Sequence, residues 1–240
     1  MIVIIKGVDT VSLTTRLILF IVGLVIMSVG VVLVIQAGLG SSPISSIPYV
    51  ISLLFPYTLG EMTFAINAFF VLCQWAILRR MSMALLLQLP TVFLFSIIID
   101  MSMVLLAPLA PTSYIGSLFF LLAASLTTAL GITLIIIANL VILPGDGIVQ
   151  VTAAHFGFDF GYLKVAFDTS CVIISAAIAF YVGGELCGLR EGTLISALIT
   201  GHFVRGWMRI LTVKDRYGRM IFCRPFTKKP PSSIMKEQEN

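Results

Sequence analysis

Asp100 lies in Phe93-Leu94-Phe95-Ser96-Ile97-Ile98-Ile99-Asp100-Met101, with no cation close in sequence. A charged side chain at the centre of a bilayer costs about 2.5–3.5 kcal/mol on insertion scales, so such a carboxylate needs a partner, a cation or a proton. Asp168 has Lys164 four residues earlier, on the same helix face, where the two charges can neutralise each other. His202, in Leu198-Ile199-Thr200-Gly201-His202, is of the type that titrates near physiological pH. Asp100, Asp168 and His202 are therefore the candidates for ion or proton coupling. Headgroup contact, an internal ion pair and ordinary packing are the alternatives for the three. His155 and Asp159 supply only two potential metal ligands, so no metal site is expected.

Two Gly/Pro breaks position these groups. Ala37-Gly38-Leu39-Gly40-Ser41-Ser42-Pro43 and Leu143-Pro144-Gly145-Asp146-Gly147 each end a long apolar run, since Gly and Pro interrupt helix backbone. The segments that follow, 44–55 and 148–156, are too short to cross a hydrocarbon core of about 30 Å. They read as re-entrant half-helices, whose irregular tips are tolerated only inside protein or against a wet cavity. Paired broken segments in two halves of a membrane protein point to a transport site. A helix N-terminus favours an anionic group. The first tip offers Ser41, Ser42 and Ser45 without charge. The second carries Asp146, a candidate N-cap, which would repel an anion unless paired or protonated. Substrate contacts are accordingly expected from Ser41, Ser42, Ser45, Asn67, Asp146 and Asp168.

The chain of 240 residues is 59% hydrophobic and 11% charged, which excludes a soluble domain and indicates a polytopic membrane protein. The apolar run from Leu17 to Ile35 is too long for a signal-peptide core. Spans are expected at 16–36, 61–78, 84–107, 114–143, 161–182 and 193–212. The fold class is thus all-α, with six transmembrane helices in two inverted three-helix repeats. Residues 1–110 form the first repeat, 111–212 the second and 213–240 a basic cytoplasmic tail. A shift of 101 residues superposes Gly30 on Gly131, Ala37 on Ala138, Pro43 on Pro144, Phe55 on Phe156 and Gly60 on Gly161 without a gap. The same shift puts Asp168 on Asn67, so the two are expected to face each other across the repeat axis.

Three spans per half turn the second half over. With Lys6 and Arg16 inside, Arg79 and Arg80 are also inside, Glu185, Arg190 and Glu191 outside, and the tail inside, as the positive-inside rule requires. Net charge is +4, and eight of the fifteen basic residues fall between Arg205 and Lys229. No nucleic-acid reading element accompanies them. Gln88 and Glu61 start spans and are expected at the interface. Cys73, Cys171, Cys187 and Cys223 form no metal or redox motif.

The stretch from Ala37 to Pro43, continuing through Ile47-Pro48-Tyr49-Val50-Ile51-Ser52 to Leu59-Gly60, resembles the YczE/YyaS/YitT group of bacterial integral membrane proteins. Pro144-Gly145-Asp146-Gly147 looks like the same group's second turn. The resemblance covers about residues 16–212. It implies the bacterial cytoplasmic (inner) membrane and brings no substrate or site residue.

The resulting expectation is a secondary transporter of a small polar or anionic metabolite, coupled to protons or Na⁺. The expected partners are a small-molecule substrate and the lipid bilayer, with a homodimer allowed and nucleic acid excluded. Alternatives are a membrane capture subunit of an ATPase-energised transporter, docking through a face with Gly23, Ser28 and Gly30, or a scaffold protein. An enzyme is not expected, because His-Glu-x-x-His, Gly-x-Ser-x-Gly and Gly-x-Gly-Asp patterns are absent. No cofactor is expected.

Overall fold

The computed structural model describes residues 12–184, 187–214 and 220–222. Among them are eight α-helices: α1 (Leu13–Gln36), α2 (Pro43–Leu54), α3 (Leu59–Leu78), α4 (Met83–Leu106), α5 (Tyr114–Ala138), α6 (Pro144–Phe156), α7 (Phe160–Gly183) and α8 (Glu191–Leu211). Two short strands, β1 (Thr212–Lys214) and β2 (Met220–Phe222), pair antiparallel. Lys6, Glu185 and, of the expected basic tail, residues 215–219 and 223–240 with Cys223 lie outside the described residues.

Local chemistry explains the helix boundaries. Ser12, Thr58, Ser82, Ser113 and Asp159 each accept a backbone N–H of the helix they precede, satisfying donors that a helix start leaves free. Thr58 and Glu61 form a full capping box. Pro43 and Pro144 open α2 and α6 at the first helical position, where their fixed φ fits and their missing N–H costs nothing. Asn139 closes α5 in the left-handed region at φ 47°, which Asn tolerates better than most residues. The expected span 114–143 therefore stops at Ala138, and the second short helix starts at Pro144 rather than 148. That boundary also corrects the capping role expected of Asp146. Leu143 is the N-cap, and Asp146 sits inside the first turn.

Among the described residues, five helices are long and apolar enough to cross a membrane: α1, α3, α4 (with the 3₁₀ turn to Leu109), α5 and α7. The sixth expected span, 193–212, is indeed helical as α8, but Glu191, Arg205 and Arg209 make it more polar than those five. With 12 and 13 residues, α2 and α6 reach only about 18–20 Å at 1.5 Å per residue.

α1 and α5 form the central pair, and they run antiparallel. Arg16 at the start of α1 donates to Ala138 O at the end of α5. Farther along, Gly23 abuts Leu134 and Gly131, while Gly30 abuts Thr128. In lipid, small residues allow the close backbone approach that holds helices together. A Cβ on Gly131 would fall 2.6 Å from Met27 Cα, so no larger residue fits there. Gly23 and Gly30 thus face α5, and Ser28 is also buried within the chain. Leu24, Val31, Val32 and Ile35 of α1 extend this core to Phe95 and Ile99 of α4. Around the pair, α3 packs on α4 and α6, α2 on α7, and α8 on α5.

Helix starts recur at the offset found in the sequence: Leu13 and Tyr114, Pro43 and Pro144, Leu59 and Phe160 are each 101 residues apart. α8 departs from this register. It begins at Glu191, seven residues later than the offset from Met83 requires, and leans on α5.

Gly131→Ala should lower the melting temperature of purified protein by several degrees, since overpacking a tight contact costs about 1–3 kcal/mol. Gly201→Ala is the control. Nothing lies within 4 Å of its added methyl, so melting should not fall.

Candidate functional site

The two breaks are held by side chains from distant elements. At the first, Arg190 Nη1 donates to Gly38 O at 3.1 Å. Thr193 Oγ1 accepts from Ser41 N at 3.2 Å, and Ser196 donates to Ser41 O at 3.4 Å. At the second, Arg16 donates to Ala138 O and Asn139 O. Gly38 and Asn139 are themselves 101 residues apart, so each break receives a guanidinium on the equivalent carbonyl. A cation suits the negative end of α1 or α5.

Gln74 of α3 and Gln88 of α4 secure the second tip. Their amides exchange two hydrogen bonds, at 3.0 and 3.2 Å, and Gln74 Nε2 also approaches Pro144 O at 3.3 Å. Both are buried, at 1% and 6% exposure. Gln88 is therefore no interfacial residue, and the expectation for it is corrected. It lies about one and a half turns inside α4, against a partner from α3. Gly147 leaves room for this pair, because a Cβ there would sit 2.7 Å from Gln74 Oε1.

The tips meet. A Cβ on Gly145 would lie 3.2 Å from Ile44 Cγ2, so the first turns of α2 and α6 touch. Neither start has a side-chain cap. Ser42 donates to Ser45 at 2.9 Å, and the fully buried Ser41 Oγ has no hydrogen-bond partner.

Beside the second tip, Lys164 binds two carboxylates. Its Nζ is 2.8 Å from Asp146 Oδ1 and 3.0 Å from Asp168 Oδ1. The Lys164–Asp168 pair was legible from the i, i+4 spacing, but the third member was not. Asp146 stands 18 positions before Lys164, and only the return of α7 alongside α6 brings them together. The side chains are a quarter to two-fifths exposed. An open groove of about 230 Å³ runs beside them between α6 and α7, lined by Ile148, Val149, Thr152, Leu163, Phe167 and Ser170. It follows the two helices rather than the tip junction.

The other site residues lie apart from this cluster. Asp100 Oδ1 accepts from Gly60 N and Oδ2 from Thr58 Oγ1, both at 2.7 Å. Its carboxylate thus anchors the positive end of α3. His202 is exposed on α8 and pairs through Nδ1 with Leu198 O of its own helix. Asn67 donates to Thr63 O on α3, whereas Asp168 turns to Lys164. The two hold separate partners. His155 stacks edge-on against Phe156, and no cluster of three His, Cys, Asp or Glu suited to a metal occurs among the described residues.

A family model described as a family of unknown function, DUF6198, matches residues 14–209. The chain belongs to that family. No curated protein and no solved structure matches it. In this DUF6198 member the matched region takes in both breaks, both short helices and the Asp146–Lys164–Asp168 cluster.

Replacing Gln74 or Gln88 with Leu should cost about 1–3 kcal/mol, because the remaining amide is buried without a partner. Replacing both should cost less than the sum of the two single changes. A double-mutant cycle of unfolding free energies measures the coupling.

Proposed function

We propose that this DUF6198 protein is a secondary transporter of a small polar metabolite bearing an anionic group, with its site at the junction of α2 and α6. The observation that carries the reading is the tip-to-tip meeting of two short helices, one from each half, at Ile44 and Gly145. Facing N-termini present unpaired N–H groups and partial positive charge from both sides, which suits an anion. Ser42, Ser45 and the unsatisfied Ser41 hydroxyl add polar atoms there. Lys164 contacts Asp146 and offsets part of its repulsion of the anion.

The 101-residue register and the antiparallel α1–α5 pair support an inverted repeat. Such a repeat lets one half rock against the other around a fixed central site. α2 and α6 are then re-entrant half-helices, and α8 is the sixth span. The loop charges support a location in the bacterial cytoplasmic membrane with both termini inside, as does the resemblance to the YczE/YyaS/YitT group.

Purified protein screened by thermal shift against amino acids, carboxylates and phosphorylated metabolites should gain stability with at least one, through mass action. That compound should enter proteoliposomes containing this chain alone. Ser42→Ala with Ser45→Ala should reduce its flux about 10-fold or more, on the scale of about 1.5 kcal/mol for a lost hydrogen bond to charge. Binding without autonomous flux would overturn the transporter reading in favour of a capture subunit.

A further inference from the structure

The halves differ sharply in charge at matched positions. The 101-residue offset puts Asp146, Lys164 and Asp168 on Ser45, Thr63 and Asn67. In the first half these residues are neutral, and their bonds stay local: Ser45 accepts from Ser42, and Asn67 donates to Thr63 O. The scaffold therefore folds with no charge at this place. In the second half one ammonium stands between two carboxylates, leaving one uncompensated negative charge. The three side chains are only partly exposed, so this charge is partly desolvated and gains from a counter-cation.

Among the described residues, the elements packed on α6 and α7 add no second cation; α3, which packs on α6, brings only the uncharged Cys73 to this side. α2, which packs on α7, brings Ser45, Ser46 and Tyr49, and its one titratable side chain, Tyr49, has Cys187 as its electrostatic neighbour. α6 adds only Asp146 and the distant His155. On α7 itself the Cys171 thiol faces Asp168 and Lys164, and it carries no positive charge in either form. Asp168 Oδ1 is fully buried and receives no hydrogen bond of good geometry, only the ionic contact with Lys164.

The geometry points to Asp146, Lys164 and Asp168 as a binding site for one monovalent cation, a proton or an alkali ion, beside the metabolite site. The site gives the proposed transporter its coupling ion, and to that extent it rests on the transport reading. Asp100 is engaged at α3 and His202 faces outward from α8, which leaves this cluster to take the ion.

The test needs binding alone. Full-length protein in detergent is melted in NaCl and in choline chloride at equal ionic strength, and in acidic and alkaline buffer without Na⁺. Saturating cation should raise the wild-type melting temperature by about 5–10 °C. A response to NaCl identifies an alkali ion; a response to acid alone identifies a proton. The triple variant Asp146→Ser, Lys164→Thr, Asp168→Asn carries the first half's residues and should lose both responses while keeping its helix content. Should it not fold, Asp146→Asn, which leaves a neutral Lys164–Asp168 pair, makes the same comparison. Equal responses in wild type and variant, or none in either, would overturn the site. Absent cation responses with intact metabolite flux would sink this inference and leave the transport reading standing; the reverse pattern would do the opposite.

Discussion

Broken backbone in an apolar surrounding must have its polar groups satisfied inside the molecule, and the architecture of this chain follows from that requirement. Each unsatisfied group in hydrocarbon costs several kcal/mol. Arg16 and Arg190 cover the carbonyls that end α5 and α1. Thr193 and Ser196 take Ser41, and Gln74 takes Pro144 O. These donors and acceptors come from elements far away in sequence, so each tip is fixed only when the whole bundle is assembled. The small residues between α1 and α5 make that assembly close enough.

From those fixed tips follows the electrostatic character of the centre. α2 and α6 bring their N-termini together, a concentration of partial positive charge that no side-chain cap relieves. Next to it, one half carries Asp146, Lys164 and Asp168 where the other has Ser, Thr and Asn. The net-negative cluster reaches the second tip through Asp146, in the first turn of α6, and extends from there along α7. The proposed anion site and the proposed cation site fall on the tips and on this cluster.

Much of the fold was legible in the sequence because its signals are local. Long apolar runs, Gly/Pro breaks and the 101-residue register fixed helix positions to within a few residues. The misplacements have physical causes. Asn139 adopted a left-handed cap and ended α5 early, while Pro144 started α6 four residues sooner than the apolar run suggested. Gln88 was read as interfacial from its place near a helix start; only the α3–α4 packing reveals the Gln74 amide opposite it. Of the site, the i, i+4 pair of Lys164 and Asp168 was readable, but Asp146 joins it through tertiary packing. Asp100 looked like an isolated carboxylate for the same reason, since Gly60 and Thr58 lie 40 and 42 residues away.

Direct contact between the tips of α2 and α6 is the central claim, and a cross-link tests it. With the native cysteines replaced, Ile44→Cys and Gly145→Cys should form an intramolecular disulfide in membranes under mild oxidation, because the contact lies within the reach of that bond. A shifted gel band that requires both cysteines and disappears on reduction is the predicted result. No bridge between them in folded protein, with efficient bridging to positions on the far side of the bundle instead, would contradict the account.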